Sequence, residues 1–217
     1  MNDRVVDGPA DAPAAVLLAH GANQPMDSPF MTYFARGLAA AGLRVVRFEF
    51  PYMERRRRTG AKAPPDKAVV LERTWRDVAD EHGDRPFVMG GKSMGGRAAA
   101  PLADALGASG LLVLGYPFHP AGRPAEAPRR AQPLSALETP ALICQGERDS
   151  MGGRSTVSDL GLSAAVRLHW LPDGDHSFTP RKKSGHTEAD NLESALWAGI
   201  RFVRRVTGLD ADSVAAD

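Results

Sequence analysis

The sequence predicts an α/β protein: a doubly wound, mostly parallel six-stranded sheet with helices on both faces. Three observations carry this expectation. Six short apolar runs recur along the chain, the stretches between most of them have helical spacing, and four of the six runs are nearly continuously apolar. Strands alternating with helices imply βαβ units, and an uninterrupted apolar strand is one covered on both faces.

The first run, Ala14–Ala19, contains AVLLA and is followed by Phe30, Phe34, Leu38 and Ala41 on one helical face. The second, Leu43–Phe50, reads RVVRFEF after its first leucine; apolar and charged residues alternate, which predicts a strand at or near an edge. Leu71, Trp75 and Val78 share the face of the next helix, and the third run is Pro86–Met89. The fourth and fifth, Gly110–Gly115 and Ala141–Gln145, are again apolar throughout most of their length. The sixth, Ala165–Leu171, alternates like the second and is also placed outside; Leu192, Leu196, Ile200 and Val203 then make the stripe of a last helix. Tyr52–Pro65, with its ERRRR run, and the proline-rich Tyr116–Pro140 read as long loops, and loops of that length are more often functional than idle. One domain over 1–208 is expected, with a polar tail at 209–217 that frays and no separate lid domain.

Composition narrows the functions. The net charge of the 217 residues is +1, which indicates no general attraction to nucleic acid or membrane. The single cysteine, Cys144, excludes an internal disulfide framework and any cysteine-based zinc cluster, and its apolar surroundings make it a buried bystander. MNDRVVDGPADAP has no hydrophobic signal region, and no segment approaches the ~20 apolar residues of a membrane span. A soluble, cytoplasmic protein is the expectation.

The chemistry centres on MGGKSMGGRAAA, Met89–Ala100, where a strand becomes a helix. Gly91-Lys92-Ser93-Met94-Gly95 is a G-x-S-x-G in the context of a nucleophile elbow. A turn that sharp strains Ser93 and brings Gly91 and Gly95 against neighbouring backbone, where a Cβ would clash. Pro101 should kink or break the helix that follows. A serine hydroxyl needs a base, and the base an orienting acid. In chain order Ser, acid, His, the loop after the fifth run supplies Asp149 and the loop after the sixth supplies His176. Glu147 is the rival acid; Asp173 and Asp175 shape the turn; His82, His169 and His186 suit a helix end, a strand and a polar loop. An oxyanion needs two backbone N–H groups, here Met94 after the nucleophile and Ala22, or Asn23, in the loop opened by His20-Gly21.

LLAHGA, FEFPYMERRRRTG, GGKSMGGR, LGYPFHPAGRP, QGERDSMGG and LPDGDHSF together resemble the α/β-hydrolases over nearly the whole chain. The resemblance is to a small lidless branch that includes testis-expressed protein 30 and the hydrolase-like domain of a chromatin acetyltransferase-complex subunit, with dienelactone hydrolases more distant. It implies a triad of Ser93, Asp149 and His176, no metal and no organic cofactor. Two departures stand out: dienelactone hydrolases use a cysteine where this chain has Ser93, and Ala-Asn-Gln-Pro after Gly21 is less glycine-rich than the family form. Hydrolysis of a carboxylic ester or thioester through an acyl-serine follows as the expectation. A small-amide hydrolase or peptidase, and a non-catalytic scaffold that keeps the fold, are the alternatives.

Substrate contacts are expected from His20, Tyr52, Arg55, Lys92, Tyr116 and His119, in or beside loops at the strands' C-terminal ends. Arg56, Arg57, Arg58, Arg97 and Arg123 add cations to the same rim. The run either grips an anionic ester or is a solvated face paired with surface acids.

Overall fold

A computed structural model describes residues 4–210, so most of the tail expected to fray, from 211 onward, lies outside the described residues. Among the described residues seven strands form one sheet, one more than the six apolar runs predict. The chain runs β1 (Arg4–Asp7), β2 (Ala15–Ala19), α1 (Pro29–Ala40), β3 (Arg44–Phe48), α2 (Pro51–Thr59), α3 (Ala68–His82), β4 (Phe87–Lys92), α4 (Met94–Ala99) and β5 (Gly110–Leu114). It continues through α5 (Ala127–Ser135), β6 (Ala141–Gly146), α6 (Arg154–Val157), β7 (Val166–Leu171) and α7 (Glu188–Val206). No helix among the described residues is long and apolar enough to cross a membrane.

The strand order is β1-β3-β2-β4-β5-β6-β7, and only β1 is antiparallel to its neighbour. From β2 the chain crosses to β3 on one side and then returns to β4 on the other. The strand order therefore reverses between β2 and β4, and their C-terminal loops diverge there to leave a crevice.

Alternation along each strand fills two separate cores. Leu17, Val46, Met89, Val113 and Ile143 face α3, α4 and α5, where Trp75 and Phe48 meet edge to face at 4.8 Å. Val16, Leu18, Val45, Leu112 and Cys144 face α1 and α7, against Phe34, Leu38 and Phe202.

The alternating β3 is second from the edge, not outermost, because β1 covers it. Arg47 is 5% exposed; its guanidinium grips Asp7 of β1 at 2.8 and 3.2 Å and also donates to Met26 O and Thr32 Oγ1, each at 3.0 Å. β7, the other alternating strand, is at an edge as expected.

Both expected long loops contain helices. The ERRRR run is most of α2, begun by Pro51 and stopped by Gly60 in the left-handed region at φ 69°. Within Tyr116–Pro140, α5 buries Ala127, Ala131 and Leu134 despite Pro133 in its interior. Pro101 ends α4 as expected: the helix tightens into a 3-10 turn at Ala100–Leu102.

Candidate active site

β4 ends at Lys92 and α4 begins at Met94, so the whole reversal falls on Ser93, at φ 51° and ψ −110°. This left-handed φ is costly for a side-chain-bearing residue. It is held by Ser93 N–H donating to Leu114 O at 3.2 Å and Arg97 N–H donating to Ser93 O at 3.0 Å. A Cβ on Gly91 would run into Gly95 and Gly96 backbone, and one on Gly95 would lie 2.7 Å from Ala19 O. Both glycines are thus required by close approach.

His176 Nε2 lies 2.8 Å from Ser93 Oγ, and its Nδ1 lies 2.6 Å from Asp149 Oδ2. The carboxylate fixes the proton on Nδ1, so Nε2 is the acceptor facing the hydroxyl. Asp149 is buried; its Oδ1 accepts from Met151 N–H at 2.8 Å, and its Oδ2 also accepts from the Gln145 amide at 2.8 Å. The structure therefore brings together the three residues that the sequence picks from three separate loops.

Gln145 is a residue that sequence reasoning missed. It is fully buried at the end of β6, and its amide also donates to Tyr116 O at 3.2 Å and Gly152 O at 3.0 Å while its oxygen accepts from Tyr116 N–H at 2.7 Å. It ties the loop that carries Asp149 to the start of the next wall. The signal was a lone amide at the end of an otherwise apolar strand.

The rival acid, Glu147, points elsewhere. It accepts from Arg154 at 2.7 Å and from Asp173 N–H at 3.1 Å, and these contacts hold its carboxyl below the usual range. Asp175 receives Ser177 and Thr179 N–H at 2.7 and 3.0 Å and shapes the His176 turn. Asn191 of α7 anchors that turn by donating to Pro172 O and Phe178 O at 3.0 and 2.8 Å.

Ala22 and Met94 both line the cavity beside Ser93; Asn23 does not. Met94 N–H, in the first turn of α4, has no intrahelical acceptor. The peptide planes on either side of Ala22 are clamped: His20 Nδ1 meets Gly21 O at 2.6 Å, and Tyr52 OH donates to Ala22 O at 2.7 Å. In a trans peptide C=O and N–H point in opposite directions, so holding Gly21 O aims Ala22 N–H away from the His20 ring. His20 Nε2 accepts from Phe50 N–H at 3.1 Å, which places the ring proton on Nδ1, and burial keeps this pKa below normal.

The residues expected to touch substrate thus divide. His20 and Tyr52 are fully buried, have their polar atoms engaged and do not line the cavity; they position the loop. Arg55 does not line the cavity; it pairs at 2.8 Å with Asp66, which does. Lys92 is 3% exposed and turns behind the site: its ammonium donates to His176 O and sits 4.9 and 5.2 Å from the Phe30 and Phe178 rings. Burial pushes its pKa down to about 8. His119 is buried with Nδ1 on Pro120 O at 2.8 Å and does not line the cavity. Tyr116 does line it, with its hydroxyl donating to Arg130 O at 2.8 Å; burial raises the phenol to about 12.

Of the rim cations, Arg57 is spent on Asp27 and Glu49, and Arg123 approaches Glu126 at 3.5 Å. Arg97 lines the cavity, joined by Arg129 and Arg130 from α5, which the sequence did not single out. The cavity measures about 580 Å³ and is walled by α3, α4, α5 and the loops after β2, β5 and β6. That volume suits a small organic molecule.

A model of the alpha/beta hydrolase domain family matches residues 12–204. Among solved structures, the chain is similar to XC6422 from Xanthomonas campestris, described as a member of a/b serine hydrolase without lid. The TM-score is 0.67 and the identity 25%, over 92% of this chain and 88% of that one. It is also similar to a dienelactone hydrolase from Anabaena variabilis, with TM-score 0.69 and 21% identity over 93% and 90% of the two chains. The esterase domain of a Rhodothermus marinus protein gives 0.64 and 19% over 93% and 90%. At these identities the last two likenesses show the fold alone.

Proposed function

The chain belongs to the alpha/beta hydrolase domain family, and on that premise we propose that it is a serine hydrolase that cleaves a carboxylic ester or thioester through an acyl-serine. The observation that carries this reading is the unbroken line from Ser93 Oγ through the His176 ring to Asp149, at 2.8 and 2.6 Å. Such a line removes the hydroxyl proton as the oxygen attacks.

In the proposed reaction Ser93 Oγ forms a bond to the acyl carbon while its proton passes to His176 Nε2. The carbonyl π electrons move onto oxygen, and that charge is received by Met94 and Ala22 N–H. Asp149 stabilises the imidazolium. As the tetrahedral centre collapses, the bond to the alcohol or thiol breaks and His176 Nε2 hands its proton to that leaving group. Water then repeats the sequence on the acyl-serine, with His176 as base, and releases the acid. The strained Ser93 backbone presents Oγ at a helix N-terminus, where developing negative charge is favoured.

The test is a panel of para-nitrophenyl esters, thioesters and anilides with wild type, Ser93→Ala and Asp149→Asn. Ester or thioester turnover should fall by roughly 10³-fold or more in Ser93→Ala and strongly in Asp149→Asn. Turnover that survives Ser93→Ala overturns the reading. Cleavage confined to anilides would move the protein to the amide hydrolases, and folded wild type inert throughout would favour the binding-protein alternative.

A further inference from the structure

Two of the three arginines in the cavity form no ion pair with an acid among the described residues. Arg129 has Glu126 at 2.8 Å. Arg130 donates to a carbonyl, Pro117 O at 3.3 Å, and the Arg97 guanidinium makes no hydrogen bond or ion pair with any described residue. Both are half-buried, and Arg97 stands one turn along α4 from Ser93.

The two guanidiniums act on each other. Burial first, and Arg97 next, lower the pKa of Arg130 against a smaller opposing pull from Glu126, and both arginines oppose the rise in the Tyr116 phenol. Like charges that converge on a partly dehydrated wall are unfavourable until an anion joins them. The acids on the same cavity do not fill that place. Asp66 is taken by Tyr52 N–H at 2.7 Å and Arg55 at 2.8 Å, and Glu72 of α3 forms no ion pair among the described residues. Nor does the basic run contribute, since none of Arg55–Arg58 lines this cavity.

We propose that Arg97 and Arg130 form a carboxylate subsite, so that the preferred substrate is an ester or thioester bearing a free carboxylate within reach of both guanidiniums when its acyl carbon meets Ser93. This rests on the hydrolase reading above. A guanidinium fork matches a carboxylate in plane and spacing, and two of them fix where the charged end lies as well as that it is charged.

The test uses paired esters. Para-nitrophenyl hemiglutarate against para-nitrophenyl valerate places the carboxylate on the acyl side; meta-acetoxybenzoate against phenyl acetate places it on the leaving group. In one pair the acidic-to-neutral ratio of kcat/KM should fall about 10- to 100-fold in Arg97→Gln and in Arg130→Gln. Arg58→Gln makes the same charge change outside the cavity and should leave that ratio in place. Ratios unchanged in both cavity variants, or lowered equally by Arg58→Gln, overturn the subsite while neutral-ester turnover leaves the hydrolase intact. Should either glutamine variant misfold by circular dichroism, lysine at the same position keeps the charge and loses the fork, and an intermediate ratio is expected. Binding separates the two readings further. Glutaric acid monoanilide should bind wild type at least about 10-fold more tightly than butyranilide by calorimetry, with the gap lost in Arg97→Gln. Equal binding of the two anilides sinks the subsite whatever Ser93 does.

Discussion

Ser93 is held in a left-handed backbone conformation that costs of order 1–3 kcal/mol, and its surroundings consist largely of what keeps it there. Gly91 and Gly95 let backbone pack where no Cβ fits, and Leu114 O receives the Ser93 N–H. Lys92, the next residue back, braces the opposite partner by donating to His176 O, at the expense of burying an ammonium. Its pKa is pushed down to about 8, below the ordinary 10.5. Between those values the native state holds fewer protons at this site than the unfolded chain, so this group's contribution to stability rises with pH across that window. Below about 8 the full cost of the buried charge is felt. Lys92→Met removes this dependence. Its stability relative to wild type should be most favourable near pH 7 and should move in wild type's favour by roughly 3 kcal/mol as pH rises from about 8 to 10.5, read by urea unfolding. A difference that stays flat over that range would contradict the account. The loops of Ser93, Asp149 and His176 were legible because strand order alone names them, although it does not choose Asp149 over Glu147 within one loop. The directions of His20, Tyr52 and Lys92 were not, because a loop's position does not say whether a side chain turns to the cavity or to backbone carbonyls.

Among the elements, the parallel strands β2, β4, β5 and β6 could be read directly: burial on both faces leaves an apolar run with little to mistake it for. β1 could not, since RVVD is four residues long and is a strand by pairing antiparallel with β3, from which Arg47 also reaches across to Asp7. The alternation of β3 was read as an edge because charge normally marks solvent, whereas Arg47 and Glu49 are here buried and paired. α2 and α5 were hidden for different reasons. The charge run in α2 masks the two buried residues, Tyr52 and Met53, that seat it, and α5 carries prolines while its buried face is mostly alanine. α3 shows what a legible helix contributes. Trp75 is fully buried against Phe48, yet its indole N–H has no hydrogen-bond partner among the described residues. Trp75→Ala should cost about 3–5 kcal/mol in denaturant unfolding, and Trp75→Phe much less, because it keeps most of the contact and discards the unpaired donor. Equal losses in the two variants would mean that ring volume is not what holds α3 to the sheet.

At the scale of the molecule, the order β3-β2-β4 makes the arrangement possible. The loops after β2 and β4 diverge from adjacent strand ends, so Ala22 and Met94 reach the same space from opposite sides, and β6 and β7 deliver Asp149 and His176 along the same edge. No expected site residue had to come from the opposite end of the sheet. The cavity wall was the least legible part. α5 enters it from a segment without a clear apolar period, and only the folded chain places Arg130 near Arg97. The central claim is that this geometry makes Ser93 a nucleophile. The most direct measurement is intact mass after exposure to a fluorophosphonate, with wild type and Ser93→Ala side by side. One adduct on wild type and none on the variant is the predicted result. An unmodified, folded wild type, or an adduct that persists in Ser93→Ala, would contradict it.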